Sequence, residues 1–147
     1  MDRCPKQQSW TSYWRENMEA LGLPTSSTVY GTQTLMAGSI SSLVNVSARF
    51  GPRVTVWELV KAGSKVDAMA VVFGMSASWY LGAAVGSAAV ATGRHLGCGT
   101  QIIDVISYAA RHQMLTPRIS AQLVAHPEIY DASRRNRFLY GHMAKSA

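Results

Sequence analysis

Apolar positions along this chain fall at helical spacing almost throughout. Trp10, Tyr13, Trp14, Met18 and Leu21 share one face of a segment that Ser9 can cap and that Gly22 and Pro24 close, with Arg15, Glu16 and Glu19 pointing away. Met36, Ile40, Leu43 and Val44 keep the same period, beside a small-residue row at Thr34, Gly38 and Ser42. Gly51-Pro52 breaks the chain, and Thr55 with Glu58 forms a capping box before a short helix that Gly63 ends. Ser64 to Asp67 repeats that box at the start of the next helix. Thr100 can open a further helix through Ile102, Ile103, Val105 and Ile106, with Asp104 among them. Thr116-Pro117 starts another that runs to about His126, and Asp131 is placed to cap a last helix carrying Arg134, Arg135 and Arg137. The expected fold is all-α.

One stretch differs from the rest. From Ala68 to Gly93 no residue carries a formal charge. As a helix at about 1.5 Å per residue it would be roughly 39 Å long, more than the ~30 Å hydrocarbon core of a bilayer. Ala70, Gly74, Ser78, Gly82 and Gly86 recur at intervals of four, and an offset row continues at Ala89, Gly93 and Gly97. Small side chains at that interval make a groove into which another helix backbone can come close. Glycine inside a helix is unfavourable by about 1 kcal/mol relative to alanine, so the row needs a packing reason. Two are open: a membrane helix that self-associates, or the central helix of a small α-protein tightly crossed by its neighbours. Val71, Val72, Phe73, Leu81, Val85 and Val90 together favour insertion by only ~2 to 3.5 kcal/mol, against which glycines, serines and a threonine act. Insertion is marginal, and the segment suits a chain that stays covered until released.

Composition sharpens this picture. The 147 residues suit a single domain, 1–147, read as an aromatic N-terminal helix (1–24), a small and polar helix (29–50), an apolar zipper hairpin (64–115) and a basic helical tail (116–147). Charged residues are only 15% of the chain, below the ~25% usual for globular domains in water, and the net charge is +6. From Arg94 onward seven Lys or Arg stand against three acids, a balance that attracts anionic lipid headgroups. No helix-turn-helix, zinc or aromatic RNA-binding pattern accompanies the positive charge, so nucleic acid is not the expected partner. MDRCPKQQSW has no apolar core of a secretory signal, so a protein acting outside its own cytoplasm would need a dedicated export machine.

Candidate chemistry changes little. There is no framed carboxylate pair, phosphate loop or HExxH. His95, His112, His126 and His142 lack metal-ligand spacing, and Cys4 and Cys98 make no disulfide framework. His95 and Cys98 in GRHLGCGTQ are close in sequence only. No catalytic residue, metal or cofactor is expected. Asp104 is a capping acid if it lies in water and a candidate ion-path residue if buried in a membrane.

A small, basic, signal-less, helical chain with Gly74, Gly82 and Gly86 in a zipper, and Ser78 where a perfect row would have glycine, resembles the small pore-forming effectors of the bacterial type VI secretion system, in particular the tube-carried glycine-zipper toxins of Pseudomonas. The resemblance covers about a third of the chain. It implies a compact helical bundle around one long zipper helix (about 65–93) able to convert to a membrane-inserted form, held in the producing cell's cytoplasm by the secretion tube's ring protein. Once delivered, it would insert into the target cell's inner membrane, self-associate, conduct monovalent ions and dissipate the membrane potential, and a cognate immunity protein would oppose it. The site residues so implied are Ala70, Gly74, Ser78, Gly82, Gly86 and Gly93. A helical interaction or adaptor protein, or a small hydrolytic effector, are the alternatives.

Overall fold

The computed structural model describes residues 9–25, 33–51, 53–61, 74–96 and 102–146. Seven α-helices are described: α1 Trp10–Ala20, α2 Gln33–Ser47, α3 Val56–Lys61, α4 Ala77–Leu96, α5 Ile102–Arg111, α6 Pro117–Ala125 and α7 Leu139–Ser146, with a 3-10 turn at Pro127–Ile129. Among the described residues there is no β-strand, only a bridge between Thr55 and Ser76. The fold is all-α.

Local signals set most helix ends. Ser9 Oγ accepts the amide of Ser12 at 3.2 Å, and Gly22, at φ +76°, lets α1 close with Gly22 N–H on Glu19 O and Leu23 N–H on Met18 O. The Thr55–Glu58 box is reciprocal: Thr55 N–H donates to Glu58 Oε1 at 3.0 Å, and Glu58 N–H to Thr55 Oγ1 at 3.3 Å. Thr116 Oγ1 accepts the amide of Ile119 at 3.1 Å, with Pro117 in the first helical position.

Two expected elements are corrected. The long apolar helix does not run unbroken from about 65 to 93. Gly74 and Met75 form a turn, and α4 begins at Ala77 and continues to Leu96. Tertiary backbone bonds claim the groups that a longer helix would use: Val56 N–H donates to Met75 O, Ser76 N–H to Ala144 O and Ala77 N–H to Val54 O. Residues 62–73, with Ala70 and the Ser64–Asp67 box, lie outside the described residues. The arginines are also not on the last helix. Asp131 accepts Ser133 N–H in a tight turn, Asn136 takes a positive φ of 57°, and α7 starts only at Leu139.

α4 is the centre. Every residue from Leu81 to Ala91 is buried, and α1, α2, α3, α5, α6, α7 and the 3-10 turn all touch it. α1 lays Trp10, Tyr13, Trp14 and Met18 inward, α2 supplies Ile40, Leu43 and Val44, and α5 supplies Val105, Tyr108 and Ala109. Gly38 and Ser42 are exposed, so these two members of the smaller row turn away from the core. Among the described residues no helix is both long and apolar enough to cross a membrane.

Candidate functional site: the two faces of helix α4

Ser78, Gly82 and Gly86 fall on one face of α4, and that face is occupied from within. A methyl group added at Gly82 would meet the side-chain carbons of Gln122 on α6, with the Tyr140 hydroxyl 3.5 Å away. One added at Gly86 would overlap Ile129 of the 3-10 turn and touch Leu123 at 3.2 Å. The missing side chains therefore let α6 and the turn after it pack unusually close to the α4 backbone. Above them Tyr140 of α7 is buried; its hydroxyl donates to Trp79 O at 2.5 Å and accepts Gln122 Nε2–H at 3.1 Å. Burial pushes the Tyr140 phenol well above its ordinary range. The rings of Trp79, His126 and Tyr140 meet at tilted and edge-to-face angles around this junction, and His126 Nδ1 lies 3.1 Å from Glu128 Oε2.

The other expected row members sit elsewhere. Gly74 is exposed in the turn before α4, with nothing within 4 Å of an added methyl. Gly93 is half-buried near the far end of α4. Asp104 is exposed in the first turn of α5, where a carboxylate complements the helix dipole. Cys4 and Cys98 lie outside the described residues, as does the side chain of His95.

The α1 face of α4 is built differently, from directional bonds. Trp14 Nε1–H donates to Ala84 O at 3.1 Å, and Trp10 Nε1–H to Thr92 Oγ1 at 2.9 Å; Thr92 in turn donates to Ala88 O. Asn17, buried, donates through Nδ2 to Ser87 Oγ and Ile129 O, both at 2.8 Å. Its Oδ1 accepts Arg137 Nη2–H at 2.7 Å, while Arg137 also donates to Glu128 O and Ile129 O. This network was not legible in the sequence beyond the α1 stripe, because Asn17 and Ser87 become neighbours only through folding. Burial holds the Arg137 guanidinium below its ordinary value, with Asp131 and Glu128 acting in the opposite direction.

The charged end of α4 is closed by Arg94, which pairs with Glu16 at 2.6 Å and lies over the Tyr13 ring at 4.3 Å. Beside it is a cavity of about 390 Å³ lined by Glu16, Asn17, Val90, Arg94, Tyr130 and Arg137, among others. Its charges are used locally: Glu16 pairs with Arg94, Asp131 with Arg134, and Arg137 caps carbonyls of the 3-10 turn. Ser78 Oγ is buried without a hydrogen-bond partner among the described residues. No group of three His, Cys, Asp or Glu among the described residues is arranged to hold a metal.

No family model matches this chain, and neither a curated protein nor a solved structure is significantly similar to it.

Proposed function

We propose that the protein is a pore-forming antibacterial toxin of the type VI secretion kind, carried by the secretion tube's ring protein and released to insert into a target cell's inner membrane. A cognate immunity protein would oppose it there. The supporting observation is the state of α4: it has no formal charge from Ala77 to Gly93, and its centre is buried on all sides by amphipathic neighbours. The uncharged part is about 26 Å long, short of the ~30 Å bilayer core, and no described helix is both long and apolar enough to cross a membrane by itself. Its apolarity is marginal, so insertion would depend on helix association through Ser78, Gly82, Gly86 and Gly93, where small residues allow close backbone packing in lipid. The covered form then keeps α4 out of water until it is released.

A second reading, a helical interaction protein with no membrane role, is favoured by one observation. Gln122, Leu123, Ile129 and Tyr140 already occupy the Gly82–Gly86 groove, which accounts for the glycines by internal packing.

Potassium flux from vesicles, measured with the full chain and a volume-conserving pair, Gly86→Val with Ile129→Ala, separates the two. The pair moves three carbons across the α4 contact and removes Ile129 Cγ2, the atom that an added Cβ on residue 86 would overlap, and thermal unfolding near that of the parent reports that the fold is kept. Under the pore reading the parent conducts and the folded pair conducts far less. A silent parent protein overturns the pore reading, and a pair that conducts like the parent removes the zipper from it.

A further inference from the structure

We infer that the outer face of α7, with the arginine turn before it, is the surface on which the folded protein docks to an anionic phospholipid bilayer. The inference rests on the membrane reading above and names the place of first contact. α7 has two unlike sides. Tyr140, Gly141 and Ala144 are buried. Phe138, just before the helix, and Leu139 and Met143 on it are 59%, 42% and 40% exposed, three of the five large hydrophobic residues that stand out in solvent among the described residues. Leu139 and Met143 are one turn apart, and His142 lies beside them on the same side.

Charge selects the occupant. Residues 132–147 contain Arg134, Arg135, Arg137, Lys145 and no Asp or Glu. Arg137 is committed inward to Asn17 and the 3-10 turn, and Arg134 is shared with Asp131. Arg135 and Lys145 remain exposed, one before the apolar residues in the chain and one after them. Apolar side chains flanked by basic ones match an interface in which rings and aliphatics enter the headgroup boundary while cations meet phosphate.

Position gives docking a consequence. The inner side of α7 fastens the two elements that would have to part for α4 to leave. Gly141 N–H donates to Leu21 O at the end of α1, and an added methyl on Gly141 would collide with the Gly22 backbone. Ala144 O accepts Ser76 N–H, and the Tyr140 hydroxyl donates to Trp79 O, both at the start of α4. Lipid that draws the outer face of α7 toward the headgroups pulls on these same bonds.

Co-sedimentation of the full chain with vesicles of phosphatidylglycerol in phosphatidylcholine, against phosphatidylcholine alone, tests the surface. The parent should partition at least about tenfold more strongly to the anionic vesicles, and Arg135→Glu with Lys145→Glu should lose about tenfold or more. Phe138→Ser with Met143→Ser should also weaken partitioning. Arg49→Glu with Arg111→Glu, at exposed positions outside α7 and the arginine turn, alters net charge equally and should change it by less than about threefold. Thermal unfolding of each variant reports that the fold is kept. Equal partitioning to neutral and anionic vesicles, or equal loss in the Arg49/Arg111 variant, overturns the assignment. Potassium flux in the same samples keeps the two proposals apart. A parent that docks on anionic lipid but conducts nothing supports the surface and overturns the pore. Undiminished conductance from the Arg135/Lys145 variant overturns the surface and leaves the pore standing.

Discussion

The two faces of α4 are held by opposite means. Against α1 the contact is polar and specific, with two indole donors and one amide reaching particular acceptors on α4. Against α6 and the 3-10 turn it is a close approach over absent side chains at Gly82 and Gly86. The first kind works only with its own partner, since an unmet buried donor is unfavourable by about 1 to 3 kcal/mol. The second kind needs only a helix surface of the right shape, and in lipid another small-residue helix can supply it. α4 can thus give up α1 with little polar debt of its own, because its backbone is bonded within the helix and Thr92 already bonds back to Ala88 O. The penalty falls on α1, whose Trp10, Trp14 and Asn17 would need water or headgroups.

The largest expected effect is on the glycine face. Gly86→Leu drives a branched side chain into Ile129 and Leu123, and should destabilise the protein by about 3 kcal/mol or more, seen as a lower denaturant midpoint. Near-parental stability would show that α6 is not held where it lies. On the polar face, Asn17→Ala leaves Ser87, Ile129 O and Arg137 short of partners and should lower stability by about 2 to 3 kcal/mol in the same measurement. A smaller loss would mean that water replaces the amide and the two faces differ less than described.

Alkaline titration reads the junction above the glycines. An unfolded tyrosine ionises near 10, whereas Tyr140 is held neutral to well above that. Its contribution is therefore intact below about pH 10 and falls by about 1.4 kcal/mol per pH unit above it, as the unfolded chain alone releases the proton. Tyr140→Phe should remove that slope while lowering stability at neutral pH, and an unchanged slope would assign the alkaline loss elsewhere. The smallest effect is a gain: Ser78→Ala removes a buried hydroxyl without a partner among the described residues and should stabilise the fold by about 1 kcal/mol. A destabilised Ser78→Ala would mean that the hydroxyl is bonded in solution.

Helix class and most helix ends were legible in the sequence because caps act over three or four residues. Ser9, Gly22, the Thr55–Glu58 pair and Thr116-Pro117 each satisfy groups within one turn of themselves. The same local signals misjudged residues 131–138. There Asp131 bonds within a turn, and Arg137 is drawn to carbonyls of the 3-10 turn, a pull that no spacing announces.

By itself the sequence determined that this chain is helical, that one long stretch up to Gly93 is uncharged, and that its small residues repeat so that something approaches closely. What approaches was decided by tertiary structure: Gln122, Leu123 and Ile129, together with the start of α4 at Ala77, where Ser76 and Ala77 N–H donate to Ala144 O and Val54 O and Met75 O accepts Val56 N–H. Periodicity prescribes a groove because it is a property of one helix. The occupant of a groove is a property of two, and is settled only when distant parts of the chain compete for the same surface.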